Sequence, residues 1–311
     1  MNKTFNYCAH KVKFLIIPVL IIIAGIVMYF VNGGFNFDVE FVGGTRMQID
    51  VATDFDNRDI EKAVEDATGL DAVIQKGSTS GIAIVKLPAT DSVDKDEEAK
   101  IKAFDALKEK YSLDDEALLS AQSADPSFGK EVQGKALSFT LLAILCILIY
   151  IIIRFDWRSG IMAVLTLAIN VLVLAAVYTI SNIAINTTFI AAMLTVVGYS
   201  INNTIIIFDR VRENMRTRKS SESVGEVANR SIKETMGRTI NSTISTLITV
   251  VLIYILGVST IQQFALPLII GIVVGAYTSL FLASTFWAAW KEHDAKNRAN
   301  KATNKKSSKN N

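Results

Sequence analysis

The segment NTTFIAAMLTVVGYSINNTIIIFDRVRENMR, residues 186–216, decides how this chain is interpreted. Its first two thirds are apolar enough to cross a bilayer, and the run then ends in a charged sequence that begins at Asp209. Two adjacent amides, Asn202 and Asn203, lie inside the apolar part, about one and a half helical turns before those charges. Polar side chains at membrane depth are costly, so they mark function or contacts between helices.

The rest of the chain contains further apolar runs of similar length. A membrane-spanning helix needs roughly 17–25 mostly apolar residues, and half of the 311 residues are hydrophobic. Six runs qualify: 14–31, 137–153, 160–180, 188–208, 240–256 and 264–290. The pattern predicts a multi-pass membrane protein.

Charge is divided unequally between the segments that connect these runs. Segment 32–134 carries 22 acidic and 11 basic residues, whereas the N-terminus and every second connection are basic. Basic connections lie in the cytoplasm by the positive-inside rule. We therefore expect a protein of the cell (cytoplasmic) membrane, with both termini in the cytoplasm and the large acidic loop outside.

The runs and charges together predict the domain organisation. The expected parts are a cytoplasmic N-terminus (1–13), a first transmembrane helix (14–31), an external α+β domain (32–136), transmembrane helices 2–6 (137–290) with a cytoplasmic loop (209–239), and a basic cytoplasmic tail (291–311). The tail is rich in Lys and Asn, which is typical of disorder.

The external segment alternates between strand and helix patterns. The expected elements are a strand over 40–51, a helix over 56–68, strands over 72–76 and 82–87, and a helix over 94–111. Gly43 and Gly44 interrupt the first strand and would form a turn at the entry to the domain. Ile101, Phe104 and Leu107 of the second helix would face inward. The order is typical of a ferredoxin-like sandwich. The predicted fold is an all-α six-helix membrane bundle with one inserted external α+β domain.

Two further patterns concern helix contacts. Gly271 and Gly275 lie four residues apart in the last run, a spacing of small residues that lets helices approach closely. Residues 220–238 predict an amphipathic helix, with Ser223 and Glu226 as a capping box. We expect the apolar side chains of that helix, Val224, Val227 and Ile232, to lie on the membrane surface.

Several classes of chemical site are absent from the sequence. No phosphate-binding G-x-x-x-x-G-K-[ST] loop occurs, and the two His residues, His10 and His293, lie near the ends. This disfavours a His-based metal site and a Ser-His-Asp triad. We predict no enzymatic activity, no metal, no cofactor and no nucleic-acid partner.

The polar candidates within the spans are amides and hydroxyls. The six runs contain no Asp, Glu, Lys, Arg or His, although a proton-driven transporter usually carries an ionisable group inside a span. The candidates are Asn170, Asn202, Asn203 and Thr204, with Arg238 at the cytoplasmic rim. They form either hydrogen bonds between helices or a polar coupling site.

Four segments carry a resemblance to a known family. They are GYSINNTIIIFDRVREN at 198–214, FNFDVEFVGGTRMQI at 35–49, MGRTINSTISTL at 236–247 and FALPLIIGIVVGAYTSLFLAS at 264–284. They resemble the SecF family of protein-export membrane subunits, which belongs with the resistance–nodulation–division transporters. The resemblance implies six helices, an external ferredoxin-like domain, a SecD-like partner, the SecYEG channel as neighbour, a translocating preprotein and export assisted by an ion gradient.

The chain departs from that family pattern at two positions. The family usually has Asp where this chain has Asn203, and often His-Asp where it has Ile169-Asn170, whereas the basic residue is retained as Arg238. An amide does not carry a proton at physiological pH. Either the partner carries the proton site, or Na⁺ is the coupling ion and is held by oxygen ligands, or this chain is weakly coupled.

These inferences lead to specific expectations for the site. Asn203, Thr204 and Arg238 are expected to form a polar cluster between the fourth and fifth spans. Asp209, Arg210 and Arg212 would fix the cytoplasmic boundary, with plain positive-inside anchoring as the alternative reading.

Other functions compete with the SecF-like one. The rivals are a half-size efflux-type transporter subunit and a membrane scaffold that transports nothing. Contact with membrane lipid is expected in every case.

Overall fold

The computed structural model describes residues 5–77 and 81–307 of the chain. In chain order its elements are α1 (Lys11–Val31), α2 (Val39–Val42), β1 (Gly44–Asp50), α3 (Asn57–Thr68), β2 (Val73–Lys76), β3 (Ile82–Leu87), α4 (Val93–Tyr111), β4 (Leu118–Ala124), α5 (Pro126–Arg154), α6 (Trp157–Ile180), α7 (Thr187–Arg216), α8 (Val224–Leu256), α9 (Ser259–Thr278) and α10 (Ser284–Ser307). A π-helical turn, Ser279–Ala283, joins α9 to α10.

The chain divides into two compact units. The first comprises the residues up to Phe35, Phe139–Ile183 and those from Thr188 onward, and it is helical. The second comprises Asn36–Ser138 and the short segment Ala184–Thr187, and it holds the β-sheet. The sheet-bearing unit therefore includes part of the connection between α6 and α7.

The helical unit has the length and hydropathy of a multi-pass membrane protein. Five stretches among the described residues are long and apolar enough to cross a bilayer: Cys8–Val31, Trp157–Ile180, Thr187–Arg216, Val224–Leu256 and Thr260–Asn297. The predicted run at 137–153 corresponds to a shorter apolar stretch of α5, Ser138–Arg154. Large apolar side chains on α1, α5 and α8 are exposed, which suits helices that face lipid or a partner rather than water.

The second unit is a four-stranded antiparallel sheet with the strand order β2-β3-β1-β4. Its core is formed by alternate residues of β1 and β3 together with apolar residues of α3 and α4. Asp56 caps the start of α3 by accepting the Arg58 N–H, and Gly69 ends it in a left-handed conformation. Helix α4 ends likewise in the left-handed region, at Ser112.

The predicted strand over 40–51 is wrong in its first part. A single helical turn, α2, precedes Gly43, and the strand begins only at Gly44. Both glycines have positive φ, 83° and 115°, which other residues rarely adopt. A Cβ on Gly44 would also lie 2.2 Å from the Leu87 carbonyl oxygen, so β1 and β3 approach each other closely here because the side chain is absent.

The inward face of α4 also differs from the prediction. Ile101 is 51% exposed, whereas Ala99, Ala103 and Leu107 are buried at a spacing of four. The prediction is thus wrong for Ile101 and confirmed for Leu107, and Phe104 is partly buried against the same core.

The cytoplasmic loop predicted over 209–239 is largely helical. Helix α7 continues to Arg216 and α8 begins at Val224, so the connection between them shrinks to 217–223. The capping box is confirmed: Ser223 N–H donates to Glu226, and Glu226 N–H donates to Ser223 Oγ.

Two other expectations for the cytoplasmic segments are wrong. Val224, Val227 and Ile232 are buried within the protein instead of lying on the membrane surface, because the segment that carries them is the first part of α8 and packs on neighbouring elements. The tail, expected to be disordered, continues α10 as far as Ser307.

Candidate functional site

A buried group of small polar side chains joins α7 to the π-helical turn in the last membrane segment. The hydroxyls of Thr204 and Ser279 lie 2.8 Å apart. Ser279 Oγ donates to the Ser200 carbonyl oxygen at 3.2 Å, and Thr204 Oγ1 to the same oxygen at 3.1 Å. The π turn begins at Ser279, and such turns frequently occur at functional sites.

Asn170 on α6 completes this group. Its side chain is 1% exposed, and within the described part of the chain neither amide atom has a hydrogen-bond partner. A Cβ built on Gly275 would lie 2.9 Å from Asn170 Nδ2 and 3.1 Å from Ser200 Oγ. Because Gly275 has no side chain, α9 can lie against the polar side chains of both Asn170 and Ser200. We call Asn170, Ser200, Thr204, Gly275 and Ser279 the inner cluster.

The second predicted packing glycine lies one turn earlier. A Cβ on Gly271 would lie 2.4 Å from Cγ2 of Val196 on α7. The face of α9 that carries Gly271 and Gly275 is thus in contact with α7, and Gly275 also with α6, because both positions lack side chains.

A second group of polar side chains lies on exposed faces of α7 and α8. We call it the outer stripe, and its members are Asn202, Arg238, Asn241, Ser242 and Ser245. The four residues on α8 recur at three- and four-residue intervals, so they share one side of the helix. Helix α8 and helix α7 also touch through Tyr199, whose hydroxyl donates to Thr246 Oγ1 at 3.4 Å.

The outer stripe cannot face lipid tails over its whole length. Hydrocarbon offers no hydrogen-bond partners, so amides and a guanidinium on an exposed helix face require protein or water. Among residues 5–77 and 81–307, Arg238 has neither a hydrogen bond nor an ion pair. The stripe therefore needs protein or water beside it.

Asn203 and Thr204 are not brought together with Arg238. Asn203 is 1% exposed, and its Nδ2 has no partner among the described residues, while Arg238 is exposed. Thr204 bonds to Ser279 of the last membrane segment instead of to the fifth predicted span. Helix α8 contributes two buried hydroxyls, those of Thr239 and Thr243, that also lack partners among the described residues.

The charged motif after α7's apolar part forms a network with α8. Arg210 pairs with Glu213 and Glu234, each at 2.6 Å, and Asp209 pairs with Arg212 at 2.8 Å. Arg210, the predicted boundary residue, therefore also ties two helices together.

Asn214, at the end of the same motif, strengthens that connection. Its Nδ2 donates to Ser231 Oγ at 3.0 Å and to Glu234 at 2.7 Å. The sequence analysis did not single out Asn214, Ser231 or Glu234 as site residues.

The entry to the sheet-bearing unit holds a buried ionic group that the sequence analysis also missed. Asp38 is 1% exposed, and its carboxylate lies 3.1 Å from Arg46 Nη1 and 3.4 Å from Lys86 Nζ. Burial lowers the pKa of Lys86, and Asp38 opposes that effect. Three charges with few contacts to water hold the start of the domain against β1 and β3.

Glu40 provides a second contact near the same entry. Its carboxylate accepts the Thr187 backbone N–H at 2.8 Å and the Thr187 hydroxyl at 2.5 Å. Thr187 is the first residue of α7. A carboxylate at a helix N-terminus is stabilised by the helix dipole and satisfies an otherwise unpaired N–H.

The described residues contain no group of three or more His, Cys, Asp and Glu that could hold a metal ion. The site is instead composed of amides, hydroxyls and one guanidinium. Such groups bind or orient charge, but they do not transfer protons at neutral pH.

Comparisons with known sequences agree on one family. The model of the family "Protein export membrane protein SecD/SecF, C-terminal" matches residues 104–293. The chain is 32% identical over 302 residues to the protein translocase subunit SecF of Alicyclobacillus acidocaldarius, covering 95% of this chain and 96% of that protein. It is 32% identical to the protein translocase subunit SecDF of Bacillus subtilis, covering 94% of this chain and 39% of that protein.

Solved structures point the same way. A crystal structure of SecDF, a translocon-associated membrane protein from Thermus thermophilus, matches with a TM-score of 0.81 and 29% identity. The match covers 94% of this chain and 39% of the SecDF chain. The chain thus spans about two fifths of the SecDF relatives and nearly the whole length of the Alicyclobacillus SecF.

Proposed function

This chain belongs to the SecD/SecF family of protein export membrane proteins, and we propose that it is a SecF-like auxiliary subunit of the protein translocase. In this role it assists the export of unfolded preproteins across the cytoplasmic membrane. The observation that carries the proposal is the outer stripe, which lies on the segments of α7 and α8 that resemble the SecF family, and which we assign to contact with a polypeptide partner.

The same proposal covers the fold of the sheet-bearing unit, the number of spans and the orientation in the membrane. The strand order β2-β3-β1-β4, with a helix after β1 and another after β3, supports a ferredoxin-like fold for the sheet-bearing unit. Six spans follow if the shorter apolar stretch of α5 crosses the bilayer together with the five longer ones. The basic connections favour an orientation with both termini in the cytoplasm and the sheet-bearing unit outside.

The partner of the outer stripe is a SecD-like subunit. The SecDF relatives carry a segment similar to this chain within a much longer polypeptide, which supports a SecD-like neighbour for the stripe. Asn202 and the polar residues of α8 would hydrogen-bond across that interface, and Arg238 would face an acidic group of the partner.

We place the ion-coupling group on the partner. The six predicted spans of this chain contain no Asp, Glu, Lys, Arg or His, and the buried positions that resemble the family's acidic sites are Asn170 and Asn203. The chain then contributes amide and hydroxyl ligands and one guanidinium, while the partner contributes the carboxylate that binds the ion. The SecYEG channel and the preprotein are the further neighbours of the complex.

The experiment measures export of a reporter preprotein in cells that rely on this chain. Arg238→Gln should lower export at least about tenfold, because truncating one member of a desolvated charge pair costs roughly 2–5 kcal/mol. Lys219→Gln, which removes an exposed charge from the 217–223 connection, should leave export unchanged.

Collapse of the proton and sodium gradients, one at a time, identifies the ion. We expect dependence on one gradient to disappear when the partner's intramembrane carboxylates are neutralised. Export that keeps the same gradient dependence after that change would contradict the assignment of the coupling group to the partner.

A further inference from the structure

A cavity of about 250 Å³ opens at the end of the helical unit where α5 meets α6. Its lining residues come from α5, the following turn, α6, α7 and α10. They are Arg154, Phe155, Asp156, Ser159, Phe208, Val211, Arg212, Met215, Trp287 and Lys291. We call this cavity the rim pocket. None of its residues belongs to the inner cluster or the outer stripe.

Three cations converge on the rim pocket. Arg154 and Arg212 both lie over the Phe155 ring, 5.6 Å and 5.4 Å from its centre. Lys291 lies 4.6 Å from the centre of the Trp287 ring. Against these three positive charges, Asp156 is the single acidic residue in the lining.

Two of the three cations, Arg154 and Lys291, are loosely paired, whereas Arg212 is held by Asp209 at 2.8 Å. Lys291 Nζ lies 3.9 Å from Asp156, and Arg154 Nη2 lies 3.7 Å from Asp209, so both separations exceed hydrogen-bond length. Asp156 is already held by the backbone N–H of Ser159 at 3.0 Å and by the Ser159 hydroxyl. The donors of Arg154 and Lys291 are therefore available to an added anion.

The rim pocket also contains a buried donor that lacks an acceptor. Trp287 is 3% exposed, and in the described ranges its Nε1 makes no hydrogen bond. The indole lies close enough to Asp156 to favour the ionised carboxylate, but outside hydrogen-bond geometry. Leaving a buried N–H unpaired is unfavourable, and an anionic oxygen in the pocket would pair with it.

Apolar groups form the rest of the pocket and its surroundings. Phe208, Val211 and Met215 provide an apolar wall, and Ile153 next to the pocket is 79% exposed at the end of a membrane helix. A free inorganic anion would gain nothing from such a wall. A molecule with a phosphate head and an acyl chain would match both parts, and basic pockets between membrane helices bind lipid head groups.

We propose that the rim pocket is a binding site for the head group of an anionic phospholipid from the adjoining leaflet. The phosphate lies between Arg154 and Lys291 and accepts the Trp287 N–H, and the acyl chains run along the exposed apolar side of α5. A volume of about 250 Å³ lies below the roughly 300–1,000 Å³ of pockets for drug-sized ligands, so the pocket holds the head group and not the whole lipid.

The test counts lipids that stay bound to the full chain purified in mild detergent, alone and with its co-expressed partner, by native mass spectrometry. Phosphatidylglycerol is the anionic probe and phosphatidylcholine the zwitterionic one. We expect one phosphatidylglycerol to be retained in preference to phosphatidylcholine. The double variant Arg154→Gln/Lys291→Gln should lose that preference, by roughly five-fold for each charge removed.

Two further variants separate the role of the pocket from a general loss of positive charge, and the role of the Trp287 N–H from that of its ring. Lys219→Gln/Lys233→Gln removes two exposed cations outside the pocket and should keep the preference. Trp287→Phe keeps all charges and the aromatic ring but removes the N–H, and should weaken phosphatidylglycerol retention only in part.

Three results would overturn the proposal. They are equal retention of the two lipids by the unaltered chain, an equal loss in the two charge-matched double variants, and displacement of phosphatidylglycerol by millimolar inorganic phosphate, which would indicate a soluble anion. Loss of the bound lipid on assembly with the partner would likewise overturn it, in favour of a protein occupant.

Discussion

At the scale of single residues, the polar groups that matter differ in how completely they are buried. The Asp38 carboxylate has almost no contact with solvent and neutralises two cations, Arg46 and Lys86. The Asp54–Lys76 pair in the same unit has the same chemistry at 2.8 Å, but the Asp54 side chain is 86% exposed. Burial rather than distance decides their energetic weight, because water screens exposed pairs.

Asp38→Asn should therefore destabilise the sheet-bearing unit by about 3–5 kcal/mol, since it leaves two buried cations without a counter-charge. Asp54→Asn should leave stability nearly unchanged, because water screens that exposed pair. The measurement is amide hydrogen exchange of β1 and β3 in the full chain. Equal protection in the two variants would show that the Asp38 group contributes no more than a surface ion pair.

At the scale of elements, the helical unit depends on positions where a side chain is missing. Gly271 and Gly275 allow α9 to contact α7 closely, and a single methyl group on Gly271 would collide with Val196. Gly237 on α8 is a suitable comparison because it is exposed, and no described atom lies within 4 Å of its Cβ position. Both glycines lie within helices, so both replacements gain helix propensity.

Gly271→Ala should lower the thermal unfolding midpoint of the detergent-purified chain, since overpacking typically costs 1–3 kcal/mol. Gly237→Ala should leave the midpoint unchanged or raise it slightly. If Gly271→Ala behaved like Gly237→Ala, the close contact between α9 and α7 would be absent from the folded protein.

The elements also show how far sequence reasoning extends. Apolar runs and turn residues located most helices and strands, because hydropathy and periodicity are local properties. The prediction was wrong where partners lie far away in sequence. Val227 and Ile232 have a membrane-surface pattern, yet they are buried by elements that no local window contains.

The candidate site was likewise predictable from the sequence only in part. The sequence singled out Asn170, Thr204 and Gly275, and the structure brings these three near one another. It did not indicate that Ser279 is the partner of Thr204, or that Asp38 binds Arg46 and Lys86, because such pairings depend on the packing of distant segments. Nor did it separate buried Asn203 from exposed Asn202, since adjacent helical residues differ only in which face they occupy.

At the scale of the whole molecule, the central claim is that the outer stripe of α7 and α8 is an interface with a SecD-like subunit. The inner cluster is enclosed by the chain's own helices, whereas the stripe carries amides and hydroxyls, with Arg238 at its end, on exposed faces. The exposed apolar face of α5, by contrast, suits lipid. The two kinds of surface should therefore have different neighbours in the membrane.

Site-specific photo-crosslinking in intact membranes tests this claim most directly. A photoreactive residue at Asn202 or Ser242 in the outer stripe should crosslink to the SecD-like chain, and one at Leu145, which is 51% exposed on α5, should not. Crosslinks from the stripe to lipid alone, or to the partner from Leu145 but not from the stripe, would contradict the account.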